Sequence, residues 1–389
     1  MAYIRLDSLA FEHNLNTISH HIASTIQSAP ELALVLKDNA YGHGLTQIAS
    51  LAHSWGIQSV FVKNYAEAMQ IYELFPVITT LYGEVPYDAP SNIWHSIASL
   101  AELEAMLAWF PDKACGYSTQ AMLKNSPQEV SKIPSIPYQR TIELKVNIGM
   151  NRNGLAADEL DSALMLLERS PHIRLGGVFA HNGYGDNDDR GFMQSIQRFY
   201  AIKQRVLLWS ERNHIPRPRF HSLSTSGALR FYAQQRELCK EWSLDSALFD
   251  DIVRIGIGAY GYHTSDVPLH IQLRPVASLW AKKISSLFLK KGERIGYGGV
   301  SKVRKDGVFS TYDVGYGDGL FRLSGSEGRL FCASGEEILP VMSMDNFSCQ
   351  SEKKEICVFD DVRGWAQTFR TIPYVILTHL SPFLPRVVV

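Results

Sequence analysis

The chain has 389 residues, of which 46% are hydrophobic and 20% charged, enough apolar material for large cores and unlike a disordered chain. Its length is that of about two or three domains. Against 39 acidic residues stand 38 lysines and arginines, and the net charge of −1 argues against broad electrostatic binding of nucleic acid or anionic lipid.

The five cysteines, Cys115, Cys239, Cys332, Cys349 and Cys357, are an odd number without C-x-x-C spacing. They read as reduced thiols and not as a disulfide framework or a zinc site, so no metal is expected. The first residues, MAYIRLDSLAFEHNL, lack the apolar run of a signal peptide, and no stretch of about 18 apolar residues occurs. A cytoplasmic protein that does not enter a membrane is expected.

Short apolar runs recur through the first two-thirds of the chain. Strands are predicted at 32–36, 59–62, 77–81, 142–148, 177–180, 219–223 and 251–255, with a weaker one near 95–99. Between them, apolar residues at the 3.6 period predict helices at 45–54, 66–74, 100–109, 159–168 and 192–212. Alternation of strand and helix means parallel strands joined by helical crossovers. Eight such units over roughly 250 residues point to a closed (β/α)₈ barrel of the TIM type. A polar, Ser/Pro-rich insertion occupies residues 117–138. From about residue 273 the pattern changes to short strand-like runs, among them ASLWAKKISSLFL, GVFSTYDVG, KKEICVFD and YVILTHLS, separated by turn residues. The expectation is a barrel over 10–268 followed by a C-terminal all-β domain over 269–389, to which residues 1–9 add a strand.

Lys37 stands at the carboxyl end of the first apolar run, the face on which barrels build active sites. A partly desolvated lysine there holds its amine neutral and nucleophilic, as Schiff-base chemistry requires. A strand-end lysine also often just snorkels to solvent. The residues that follow, with a tyrosine and two glycines in a tight loop, suit close approach to a phosphate.

The octet Lys37-Asp38-Asn39-Ala40-Tyr41-Gly42-His43-Gly44 resembles the cofactor-lysine signature of the alanine racemases, pyridoxal-phosphate enzymes with an N-terminal barrel and a C-terminal β domain. Further segments resemble the family in order along nearly the whole chain. The resemblance implies that Lys37 forms the internal aldimine with pyridoxal 5'-phosphate and serves as one catalytic base. KVNIGMNRNGL (145–155) resembles the segment whose arginine, here Arg152, bonds the cofactor's phenolic oxygen and the substrate carboxylate. Lys145 matches the lysine often carbamylated to orient that arginine, an anion pairing with a guanidinium in a plane. Asn147 and Ile148 replace the family's acid and threonine. His181 matches a histidine beside the cofactor ring, and Asn182 departs from the pattern after it.

HSLSTSGA (221–228) resembles the phosphate-donating segment, with Thr225 in the serine's place and Ser224 in the asparagine's. VRIGIGAYGY (253–262) resembles the segment whose amides, here of Gly256 and Ile257, bind phosphate. In the family the arginine matched by Arg254 faces the pyridine nitrogen. An arginine keeps its proton at working pH, so the ring stays unprotonated, a long-lived quinonoid is disfavoured and side reactions are suppressed.

Inversion at Cα needs an acid and a base on opposite faces. RIGYGG (294–299) resembles the segment of the second base, Tyr297, which in the family reaches the barrel of the second subunit. Its ordinary pKa of about 10 must fall beside positive charge to work near neutrality. The resemblance also implies that Tyr316 lines the substrate entrance, that the amide of Met344 meets the substrate carboxylate, that Asp345 braces the site and that Tyr374 joins Tyr41 at the phosphate. It implies a homodimer with two shared active sites, acting on alanine and supplying D-alanine for peptidoglycan. A broad-specificity amino-acid racemase is a rival, as are a non-catalytic pyridoxal-phosphate carrier and a decarboxylase. Lys145, the β domain and Arg254 respectively weigh against these three.

Overall fold

The computed structural model describes residues 1–23, 29–114, 140–170, 172–187, 189–242, 245 and 248–389. Cys115 and the insertion at 117–138 lie outside the described residues. Strand β1 (Tyr3–Leu6) leads into the helix Ser8–Ala23. Eight parallel strands follow: β2 (Glu31–Val35), β3 (Ser59–Val62), β4 (Val77–Thr80), β5 (Ile93–Ile97), β6 (Arg140–Lys145), β7 (Ile173–Phe179), β8 (Arg219–His221) and β9 (Ile252–Ile255). They pair in the order β8-β7-β6-β5-β4-β3-β2-β9. Hydrogen bonds from Asp251 N to Phe220 O (2.8 Å) and Arg254 N to Leu223 O (3.1 Å) bring β9 back beside β8, so the barrel is nearly closed.

Strands β3, β5, β6 and β9 are buried at every residue, as parallel strands filled from inside and covered by helices must be. The crossover helices supply the cover. Leu45, Ile48, Ala49 and Ala52 of helix Leu45–Trp55 lie on one buried stripe. The weak fourth strand forms as β5, two residues earlier than the sequence suggests. The helix expected at 66–74 is only the turn Tyr65–Met69, capped by Asn64 Oδ1 accepting from Glu67 N at 3.1 Å.

The second part is built on β10 (Ala277–Leu289), whose 13 residues pair with two sets of neighbours. Its first half lies against β1 and, on the other side, β17 (Glu355–Phe359). Ahead of β17 come the hairpin of β11 (Arg294–Ile295) with β12 (Ser301–Lys302), then β13 (Gly307–Tyr312), the hairpin of β14 (Leu330–Phe331) with β15 (Glu337–Ile338), and β16 (Phe347–Gln350). The second half of β10 pairs with β13, which pairs with β16. Strand β18 (Arg386–Val388) runs parallel to β1.

The all-β expectation needs one correction. The run at 374–381 is not a strand: Tyr374 lies in the helix Pro373–Thr378, preceded by the helix Arg363–Thr368. Pro373 occupies the first helical position, where its missing N–H is not needed. The domain is mostly β. One core joins the two parts, with Phe11, Tyr260, Leu279 and Phe359 buried in it together.

Candidate active site

Lys37 follows β2 at the strands' carboxyl ends, and the chain then makes an unusual turn. Asp38, Asn39, Ala40 and Tyr41 all have φ between 52° and 56°, a left-handed conformation that costs a side chain roughly 1–2 kcal/mol per residue. The surroundings hold it. Glu67 accepts from the amides of Asn39 (2.9 Å) and Lys63 (2.7 Å), Asn39 Oδ1 accepts from Leu45 N (2.8 Å), and Lys63 pairs with Asp38 at 2.7 Å. From the far end of the chain, Arg386 Nη2 donates to Gly42 O at 2.8 Å. The turn aims Lys37 and Tyr41 into one cavity.

At one end of that cavity stand Tyr41, Tyr374, Ser224, Thr225 and Gly256. The rings of Tyr41 and Tyr374 are 5.9 Å apart. A Cβ on Gly256 would lie 2.7 Å from the Tyr41 hydroxyl, so glycine is what lets that tyrosine approach. Burial pushes Tyr374 up to about 12 and Tyr41 well above its ordinary value, so both hydroxyls keep their protons to donate. Thr225 opens the 18-residue helix Thr225–Trp242, a helix end that favours an anion. The amide of Gly256, expected to face phosphate, instead donates to Thr225 Oγ1 at 3.1 Å, and Gly258 N does so at 3.3 Å. With both lone pairs engaged, the hydroxyl of Thr225 has its own proton left to donate. Ile257 lines the same end.

Beneath this end, Asp250 is buried with Lys203 at 2.6 Å and accepts from Ser222 N (2.5 Å), Ser222 Oγ (3.0 Å) and Leu223 N (3.1 Å). It thereby sets the bend that presents Ser224 and Thr225.

Lys145, Arg152 and His181 line the same cavity. Lys145 Nζ donates to Asn153 Oδ1 at 2.6 Å, and burial together with Arg152, Arg254 and Lys37 brings its amine down to about 8. Burial and the same cations hold His181 down to about 3, so its ring is neutral at working pH. Arg152 is exposed on a loop organised by Asn147, whose Oδ1 accepts from Gly149 N (3.0 Å) and Asn151 N (3.1 Å). The amide keeps the acceptor that an acid would offer there. Asn182 is likewise structural, donating to Phe192 O at 3.0 Å and accepting from Tyr184 N at 3.1 Å. Arg254 forms the floor, with Nη2 donating to Ala180 O at 2.7 Å and Nη1 to the ring Nδ1 of His221.

Among the described residues, four cations, Lys37, Lys145, Arg152 and Arg254, line the cavity against one carboxylate, Asp186. That imbalance calls for an anionic occupant. A nucleophilic amine, hydroxyl donors at a helix start and a guanidinium floor together fit a phosphorylated aldehyde.

The remaining predicted residues stand elsewhere. Tyr297, Tyr316 and Met344 are 64%, 36% and 53% exposed on the β domain, and Asp345 is exposed beside them. Backbone bonds from Tyr316 N to Ser343 O (3.2 Å) and Gly317 N to Met344 O (2.8 Å) clasp the turns of Tyr316 and Met344 together, and a Cβ on Gly296, next to Tyr297, would lie 3.6 Å from Pro340 O in the segment leading to Met344. Among the described residues, none of the four lines the chain's own cavity. Sequence reasoning missed Glu143, Arg219, Asp250 and Lys203. A glutamate inside the apolar run of β6 was the available signal for the first.

Family models for the alanine racemase N-terminal and C-terminal domains match residues 6–264 and 276–388. The chain is 34% identical over 389 residues to an alanine racemase of Campylobacter jejuni subsp. doylei, covering 100% of both. It is 33% identical to one of Nitratiruptor sp., covering 99% of both. Among solved structures, an alanine racemase of Clostridium difficile 630 superposes with a TM-score of 0.78 at 19% identity, covering 100% of this chain and 95% of that one. One from Bartonella henselae with covalently bound pyridoxal phosphate gives 0.72 at 22% identity, covering 100% and 99%. These two structural likenesses speak to the fold.

Proposed function

Because this chain belongs to the alanine racemase family, whose members use pyridoxal phosphate, we propose that it interconverts L- and D-alanine with that cofactor held in the cavity. The observation that carries this reading is the convergence of Lys37, a hydroxyl-lined helix start and Arg254 on one positively charged cavity. Pyridoxal phosphate, when bound, supplies an electron sink that makes the substrate's Cα–H acidic.

The chain's own groups do the rest. Lys37 would hold the cofactor's aldehyde carbon through Nζ, and with that nitrogen released to the free amine it would move a proton at one face of Cα. Thr225, Ser224, Tyr41 and Tyr374, with the amide of Ile257, hold the phosphate, and the Gly256 amide braces the Thr225 hydroxyl. Arg254 meets the ring nitrogen, and being always protonated it donates to that nitrogen without giving up a proton. His181 packs beside the ring as a neutral group. Arg152 takes the substrate carboxylate, oriented by Lys145 once its depressed amine is carbamylated.

The second proton site is Tyr297 of a second copy. It is too exposed to work in isolation, and an exposed edge carrying Tyr297, Tyr316, Met344 and Asp345 suits closure over another protomer's cavity. In this reading residues 10–268 carry the cofactor, residues 269–389 cover the partner's site, and the dimer works in the cytoplasm, supplying D-alanine to peptidoglycan synthesis. Among the described residues no helix is long and apolar enough to cross a membrane. The test is chiral chromatography after incubation with L-alanine, with and without pyridoxal phosphate. Cofactor-dependent appearance of D-alanine supports the reading. Turnover of other amino acids with alanine untouched would overturn it.

A further inference from the structure

We infer that Glu143 is a positioning residue for Arg254, acting through the ring of His221. The inference rests on the assignment of Arg254 to the cofactor ring made above. Glu143 lies in β6 and is fully buried in the barrel below the cavity. Its Oε1 accepts from Arg219 Nε at 2.7 Å and faces His221 Nε2 at 3.2 Å. The other ring nitrogen of His221, Nδ1, faces Arg254 Nη1.

The donor and acceptor roles along this path follow from chemistry. A guanidinium nitrogen can only donate, so Nδ1 must offer its lone pair. The neutral ring then carries its proton on Nε2, and in a buried site that N–H needs an acceptor. Glu143 is that acceptor. Burial outweighs the carboxylate's pull and holds His221 down to about 4, in keeping with a neutral ring. The ring stacks on Phe179, with centroids 5.1 Å apart and planes 14° apart, and meets Phe61 edge-on at 5.1 Å, contacts that set the plane of the ring. Arg219 in turn is fixed by Ser59 Oγ (3.0 Å) and Thr79 Oγ1 (3.3 Å) and lies 4.4 Å over the ring of Trp94.

The opposite tautomer would set an Nδ1–H against an N–H of Arg254. Two donors head-on force the guanidinium to turn from the direction set by its bonds to His221 O (3.2 Å) and Ala180 O (2.7 Å). Glu143 therefore decides which way the remaining N–H groups of Arg254 point into the cavity. A carboxylate holding a histidine in one tautomer so that its far nitrogen serves a reacting group is a recurrent device in enzymes.

The test uses histidine-selective ¹⁵N labelling of the holoenzyme, with the His221 signal assigned by its loss in His221→Asn. We expect a neutral Nε2–H ring from pH 5 to 8. Glu143→Gln should keep this tautomer, because an amide oxygen can still accept from both Arg219 and His221, and kcat should stay within about threefold. The paired replacement Glu143→Leu with Arg219→Leu removes the acceptor without stranding a buried charge. It should lose the fixed tautomer and about tenfold or more in kcat, with KM nearly unchanged. An Nδ1–H or protonated ring in the unaltered enzyme overturns the inference, as does a paired variant whose tautomer and kcat are both intact. If the paired variant does not fold, the unaltered enzyme and Glu143→Gln still decide. Arg254→Lys separates the underlying assumption: full activity in that variant would refute the role of Arg254 while leaving the Glu143–His221 contact standing.

Discussion

Replacing Lys203 by methionine tests how the phosphate end is built. Lys203 and Asp250 are 4% and 9% exposed, and the ammonium also donates to Leu248 O at 2.8 Å. Removing the cation leaves a buried carboxylate without its counter-charge, a change that costs about 3–5 kcal/mol. The pH dependence carries a sign. In the unaltered protein burial pushes Asp250 up, but Lys203 and the donors of Ser222 outweigh it and hold the carboxyl below its ordinary value. That carboxylate contributes stability above its unfolded pKa, near 3.9, and the contribution is lost as pH falls through the lower folded value. In the variant burial wins, the folded pKa rises above the unfolded one, and the deficit is full only above that raised value. The stability gap between the two proteins should therefore narrow as pH falls from 7.5 to about 5. Urea unfolding of both holoproteins at several pH values measures it. Cofactor affinity should also fall, because the bend at Ser222–Leu223 presents Ser224 and Thr225. An unchanged unfolding midpoint, or a gap that does not move with pH, would refute the reasoning.

Gly42 has φ of +82°, and a Cβ there would lie 1.9 Å from Leu377 O in the helix that carries Tyr374. Gly42→Ala should cost about 2 kcal/mol or more and weaken cofactor binding as Tyr41 and Tyr374 part; melting and cofactor titration check both. Tyr297→Ala should keep the cofactor yet lose about a hundredfold or more in Cα-proton exchange from one alanine enantiomer, and far less from the other. Equal losses in a deuterium wash-in assay would argue against opposed bases. With its amine held near 8, Lys145 has a sizeable neutral fraction at pH 8 to react with carbon dioxide. A carbamate resonance from ¹³C-bicarbonate should appear there, fade toward pH 6 as the amine protonates, and vanish in Lys145→Arg. Its survival in that variant would place the carbamate elsewhere.

The barrel was legible because its strands are short runs rich in apolar residues and most of its helices keep a 3.6 period, both local properties of the chain. The helix at Tyr374 was not. YVILT is mostly β-branched or aromatic, and Pro373 at the helix start, with packing against the helix Arg363–Thr368 and against Gly42, more than 300 residues away, favours helix. Many of the residues that line the cavity lay in continuous motifs and could be picked out one by one, but Tyr82 and Asp186 were not among them. The groups that hold the cavity residues could not be picked out, since Glu143 with Arg219 and Lys203 with Asp250 meet only when the barrel forms, and Arg386 with Gly42 only when the C-terminal part packs on it. The amide of Gly256 was read from its motif as a phosphate donor, and nothing local in the sequence tells that it donates to the Thr225 hydroxyl. The shared edge of Tyr297, Tyr316 and Met344 was readable only as separate turns.

The central claim is that Lys37 holds pyridoxal phosphate in this cavity. Borohydride reduction of the holoenzyme, followed by digestion and mass spectrometry, tests it at a single residue. A pyridoxyl group on the peptide containing Lys37, absent after Lys37→Ala, is the expected result. Reduction that marks Lys145 instead, or marks the Lys37→Ala protein as strongly as the unaltered one, would contradict it.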